Sequence, residues 1–278
     1  TFNTLKPMST FLGNFEWQFV AGRLEESGYT PPNIKRTYGS TLLYIPKENE
    51  IRENDWRFFQ AFNLSYSPKW IKGLHIGFIR YVQMYSAVFE GRYSWMEGRP
   101  GLFPIFSNLF RKSDQFENIE EQIDQGAGIY MRWLWKDSNA EIYAEYHYDD
   151  SKQNLRDLLL DSDNSRATTF GISKAFLNSK KNINQISWEW TQMEQSGTRL
   201  LRGGGSWYRH AFIRHGYTNY GEVLGSSIGP GSNSHYLSLK NLNKKQKIEL
   251  AIEIIEQNND FYYAAFESAK DFRRYWKD

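Results

Sequence analysis

The stretch DWRFFQAFNLSYSPKWIKGLHIGFIRYVQM, Asp55 to Met84, decides the fold class. In its first half Trp56, Phe58, Phe62, Leu64 and Tyr66 fall on one side, with Arg57, Ala61, Asn63 and Ser65 opposite. After Ser67-Pro68 the alternation resumes from Lys72. Leu74, Ile76, Phe78, Val82 and Met84 face His75, Gly77, Tyr81 and Gln83 across the chain. A period of two marks strands with unlike faces, and two such runs around a short Pro-containing turn predict a hairpin.

The pattern extends in both directions. Upstream, Phe15, Trp17, Phe19 and Ala21 alternate with Glu16, Gln18 and Val20, before a turn-rich stretch at 27–40. Downstream, Gln122 to Lys136 sets Ile123, Ala127, Ile129, Met131, Trp133 and Trp135 against Asp124, Gly126, Gly128, Tyr130, Arg132 and Lys136. A tight turn at Lys136–Asn139 leads into a strand over Ala140–Tyr148. Strands are expected at Arg166–Leu177, Asn182–Met193, His235–Lys240 and Lys247–Glu256, with another beginning at Phe261. Short helices fit Pro104–Lys112 and the loop from Asp149 to Ser165. The sum is about 10 strands, several longer than the usual 5–6 residues.

Composition agrees with that reading. The 278 residues include 18 Tyr, 19 Phe and 10 Trp but no Cys, so disulfides, thiol catalysis and Cys-based metal sites are excluded. With 34 Lys plus Arg against 32 Asp plus Glu, no field for nucleic acid exists. No apolar run is long enough for a transmembrane helix, whereas barrel strands need only alternate. Long strands, short turns on one side and longer loops on the other predict an all-β, antiparallel transmembrane barrel; the competing fold is a soluble sheet protein. A barrel requires Trp56, Phe58, Leu74, Ile76, Phe78, Ile129 and Trp133 to form a continuous outer apolar belt.

One stretch departs from the rhythm. RGGGSWYRHAFIRHGYTNYGEVLGSSIGPGS, Arg202 to Ser232, holds eight of the 21 glycines. Such density predicts tight turns and close backbone approach within one long loop. Its Gly225-Ser226-Ser227-Ile228-Gly229 matches a nucleophile elbow, but Pro230 and Gly231 cannot begin the helix that motif needs. His210 and His215 are five apart rather than four, so no zinc pair is formed. Asp161 to Ser165 resembles a calcium loop, yet Arg166 and Ile172 stand where glycine and glutamate are required. Neither a metal nor another cofactor is expected. Glu141 and Glu145 share one strand face about 13 Å apart, too far for a glycosidase pair unless a cross-strand carboxylate such as Asp124 joins them. With Arg132 and Lys136 they read more simply as a charged lumen wall. Sugar binding, which uses flat aromatic faces beside planar hydrogen-bonding groups, fits Arg202, Trp207, Tyr208, Arg209, His210, Tyr217 and Asn219 as candidate residues. The same composition suits an interior plug, and that packing role ranks slightly ahead.

The run from Arg202 to Ser234, with IDQGAGIYMRWLW at Ile123–Trp135, AEIYAEYHYDD at Ala140–Asp150 and the closing segment from Asn258, resembles the capsule assembly Wzi family of bacterial outer-membrane proteins, especially its Bacteroidetes versions. The resemblance implies a barrel of about 18 strands with short helical inserts. It also implies a non-enzymatic, lectin-like protein of the outer membrane that attaches capsular or other surface polysaccharide. Its partners would be that polysaccharide, outer-membrane lipid and a larger envelope complex. Residues 1–278 would then be one barrel domain in part, lacking strands at both ends. A sugar-active enzyme, with carboxylates converging near Trp188 or Trp190, and a passive channel are the alternatives.

Overall fold

The structure, a computed structural model, describes residues 1–27, 56–86, 105–106, 123–149, 165–179, 182–195, 206–210, 213 and 215–262. The alternating runs form the strands expected of them. These are β3 (Gly13–Leu24), β4 (Arg57–Pro68), β5 (Leu74–Tyr85), β6 (Asp124–Trp135), β7 (Ala140–Asp149), β8 (Arg166–Ser179) and β9 (Asn182–Gln192), followed later by β12 (Asn233–Leu242) and β13 (Lys247–Glu256). Two short strands, β1 (Phe2–Asn3) and β2 (Met8–Ser9), both pair with β3. A small hairpin, β10 (Thr218–Asn219) with β11 (Glu222–Val223), lies inside the glycine-rich stretch, where the sequence suggested only loop.

All but β10 and β11 join one 11-stranded sheet, in the order β1-β3-β4-β5-β6-β7-β8-β9-β12-β13 with β2 beside β3. Every pairing is antiparallel. The sheet is an open meander among the described residues. A 12-residue strand such as β4 runs about 40 Å at 3.3 Å per residue, enough to cross an apolar band when tilted. At one end the strands are joined tightly, through residues 69–73, 136–139 and 243–246; at the other the connections are long. Lys136–Ser138 is a single 3-10 turn closed by Asn139 in the left-handed region (φ 47°). Lys136 therefore sits in a turn and not on the wall where the alternation placed it.

The register sorts the side chains into two faces. On one, Trp17, Leu64, Phe78, Ile129 and Tyr146 lie in a row across β3 to β7, and Ile172, Trp188, Leu237 and Ile252 continue another across β8 to β13. Ile129 is 59% exposed and Ile252 67%. A monomer in water rarely exposes an apolar patch beyond a few hundred Å². Rings gather at the tight-turn end, where Phe15 stacks on Tyr66, Tyr66 meets Trp70 and Trp133 meets Trp135, as in the aromatic girdle of a barrel. The seven belt residues share this face, with no second sheet against it among the described residues. The belt is not bare throughout. At the long-loop end Ile105 and Phe106 cover Phe58, Phe62, Val82 and Met84, and the Ile105 N–H donates to Gln60 Oε1. Leu74 is also shielded, at 9% exposure.

Two other expectations change. Residues 259–262 form a helical turn where a strand was expected to start at Phe261, because Asn258 takes φ 53° and its carbonyl accepts the N–H groups of Phe261 and Tyr262. Apart from the 3-10 pair at 105–106, the helix expected at Pro104–Lys112 lies outside the described residues, as does most of the one between Asp149 and Ser165.

Candidate functional site

The second face is polar, and the glycine-rich stretch packs onto it at the long-loop end. Arg57, the first residue of β4, is fully buried there. Its guanidinium donates to the carbonyls of Gly216, Thr218 (2.8 Å) and Glu25 (3.1 Å) and to Gln83 Oε1 (3.2 Å). Gln83 Nε2 adds a bond to the Gly216 carbonyl (3.2 Å) and another to Asp124. A planar fork suits converging carbonyls, and burial of those oxygens would be costly without it.

Two turns aim the loop into this clamp. Gly216 has φ 63°, and a Cβ there would lie 2.1 Å from the Tyr208 carbonyl, so only glycine fits. Tyr220 (φ 51°) and Gly221 (φ 81°) make the two-residue left-handed turn of the β10–β11 hairpin. Between them Tyr217 is set among three rings: Tyr81 at 4.5 Å, Phe59 at 6.1 Å and Tyr208 at 6.1 Å. The Tyr208 hydroxyl accepts the Ser226 N–H (2.7 Å) and faces Met193 Sδ. Trp207 is 4% exposed against Met193 and Ile228. Asn219 Oδ1 accepts the Glu25 N–H at 2.9 Å. Burial pushes the Tyr217 phenol well up, Asp124 and Tyr208 adding to the effect, and burial raises Tyr208 as well, so both rings stay neutral.

A second anchor ties down the ends of the stretch. The Asp260 carboxylate accepts the Gln195 N–H and the Ser206 hydroxyl, each at 2.7 Å. Its burial raises its pKa, against the pull of those two donors. The Ser232 carbonyl accepts the Met193 N–H, and the Ser232 hydroxyl accepts that of Asn258 (3.0 Å).

Of the seven sequence candidates, Trp207, Tyr208, Tyr217 and Asn219 are drawn together as packing of this plug. His210 accepts the nearby Ile213 N–H, Arg209 is exposed, and Arg202 lies outside the described residues. His215 bonds the Tyr85 hydroxyl (2.9 Å) and approaches Glu26 (3.5 Å). No group of three metal-ligating side chains exists among the described residues. Asp124 stands opposite Gln83, whereas Glu145 stands opposite Tyr130 and Thr169, so those carboxylates do not converge. Trp188 and Trp190 belong to the apolar face, away from every inner-wall carboxylate. Ser227 is an exposed turn residue with no helix after it.

Sequence reasoning missed Arg57 and Gln83, read as ordinary wet-face residues, and a feature of the wall below the plug. On β5 to β8 each inward glycine lies under a ring from the strand beside it: Gly126 under Tyr81, Gly128 under His147, Gly77 under Tyr130 and Gly171 under Tyr143. A Cβ at any of them would sit 2.0–2.3 Å from a ring atom. The available signal was glycine in strand interiors, which marks close approach.

A family profile described as "Capsule assembly protein Wzi" matches residues 3–276. No curated protein matches the chain in sequence. Among solved structures, the chain is similar in fold to Wzi of Escherichia coli, described as an outer membrane protein involved in group 1 capsule assembly and a carbohydrate-binding β-barrel. The TM-score is 0.55 at 14% identity, over 90% of this chain and 44% of that one. The chain thus spans less than half the length of that relative.

Proposed function

The chain belongs to the capsule assembly protein Wzi family, and from that premise we propose that it binds surface polysaccharide at the outer membrane and holds it there, as a lectin and not as an enzyme. One observation carries the reading: a single antiparallel sheet with an exposed apolar face, of the kind a barrel turns to lipid, and a polar, ring-lined face capped by the glycine-rich plug. Capped walls favour a binding protein over an open channel. Catalysis by a carboxylate pair beside Trp188 or Trp190 is disfavoured because both indoles sit on the apolar face.

In this reading Trp207, Tyr208, Tyr217 and Asn219 shape the plug, and Arg209 with the 70% exposed Tyr220 forms the rim that meets glycan. Barrels place long loops on the extracellular side, so the rim faces out. The test is a deletion strain scored for retained against shed polysaccharide, complemented with wild type or with Arg209→Ala/Tyr220→Ala. Shedding on deletion, rescued by wild type and only partly by the rim variant, is expected. Unchanged retention on deletion would sink the attachment role, and full rescue by the variant would remove the rim.

A further inference from the structure

Register places the four glycine-backed rings in consecutive inward rows: Tyr81 opposite Gly126, His147 opposite Gly128, Tyr130 opposite Gly77, and Tyr143 opposite Arg132 and Gly171. Successive rows lie two residues, about 7 Å, apart, so the rings descend roughly 20 Å along the wall from the plug. Lying over a glycine presses one face of each ring against backbone and turns the other to the lumen. At the top that second face is occupied, since Tyr217 lies 4.5 Å from Tyr81 at an interplanar angle of 32°. Below it, no ring covers Tyr130, His147 or Tyr143 among the described residues, and the His147 side chain remains 25% exposed.

Each ring also ends on an acceptor. Tyr81 donates to Asp149 (3.2 Å), Tyr130 to Asn63 (2.8 Å) and Tyr143 to Glu189, while His147 Nε2 meets Glu145 at 3.2 Å. Arg132, which stands opposite Tyr143, is bonded to Glu141 through two nitrogens. Flat apolar faces flanked by carboxylate and amide oxygens suit the C–H face and hydroxyl rim of an uncharged pyranose. A uronate chain would bring its charge against these carboxylates.

We infer that the inner wall under the plug is a track for a neutral saccharide chain, with His147, Tyr130 and Tyr143 as successive stacking positions. The inference rests on the polysaccharide-binding reading and adds to it where the chain lies and which charge class it accepts. The test uses the purified full-length protein in detergent, an array of neutral, amino and uronic oligosaccharides, and calorimetry with the best-bound glycan. Neutral chains should bind. Tyr130→Leu and Tyr143→Leu should each weaken binding roughly tenfold. Tyr143→Phe, which keeps the ring, should lose less, and Phe176→Leu, a ring on the opposite, apolar face, should lose nothing. Heat-modifiable migration on gels verifies that each variant is folded. Neutral-glycan binding undiminished in the Leu variants would refute the track and leave polysaccharide binding standing. A preference for uronates would refute the charge class, and no bound glycan at all would overturn the track and the parent reading together.

Discussion

Replacing Arg57 by Met tests whether the plug is held by a buried fork. The side chain is 0% exposed and satisfies four acceptors, three of them main-chain carbonyls on two separate segments. A charge-assisted hydrogen bond contributes about 1.5–3 kcal/mol, but removing one member of a buried polar set costs about 3–5 kcal/mol in all, since bonds to one group are not additive. Gln83 still reaches the Gly216 carbonyl, so the lower part of that range applies, about 3 kcal/mol. That figure corresponds to roughly a hundredfold rise in the opening constant of the plug. Hydrogen exchange in lipid nanodiscs reads it at the Tyr217, Tyr220 and Leu224 amides, which donate to the Tyr208, Glu25 and Tyr217 carbonyls. Strand amides between β6 and β7 should keep their protection. Arg57→Lys, with a compact ammonium in place of the fork, should fall between Met and wild type. If plug protection survives Arg57→Met, the carbonyl clamp is not what holds the loop.

Four further outcomes follow from the same geometry. Gly216→Ala should loosen the plug at least as much as Arg57→Met, because φ 63° and a 2.1 Å contact with the Tyr208 carbonyl both oppose a side chain; the same exchange experiment measures it. Ile129→Arg should destabilise the protein in bilayers by about 2–4 kcal/mol if this face meets lipid near mid-depth, and by little if it meets water, as read from reversible unfolding in vesicles. Gly77→Ala should cost stability through its clash with Tyr130, and most of the cost should vanish in Gly77→Ala/Tyr130→Ala, a coupling that a double-mutant cycle reports. Burial raises the Asp260 pKa, so the folded protein holds that proton more tightly than the unfolded chain. Its contribution is therefore most favourable in acid and declines as pH climbs from the ordinary carboxylate range through the raised value. Protection of the Gln195 amide, corrected for intrinsic rates, should fall across that window in wild type and stay flat in Asp260→Asn.

Which parts of the site were legible depends on how local their cause is. The faces of β3 to β9 were legible because a strand's side chains alternate with a period of two whatever it pairs with. The Tyr220–Gly221 turn was also locally encoded, as a glycine behind a tyrosine in the left-handed region, but it was submerged in a stretch too rich in glycine to parse. The failure at Phe261 has the opposite origin. Its aromatic run reads as a strand, yet contacts from Asp260 to Ser206 and Gln195, more than 50 residues away in sequence, hold a helical turn there. The packing of Trp207, Tyr208 and Tyr217 within the plug was hidden for a related reason: the sequence does not say which face of an aromatic ring is already covered.

By itself, then, the sequence determined an antiparallel sheet with one apolar face and one polar face, and it carried the family in its glycine-rich signature. Only the tertiary structure decided that Arg57 clamps that signature to the wall, that Tyr217 closes over Tyr81, and that four rings lie on glycines of neighbouring strands. Alternation is a property of consecutive residues and survives without partners. Each of the other facts joins atoms brought together by strand register and loop return, and no spacing along the chain encodes that distance.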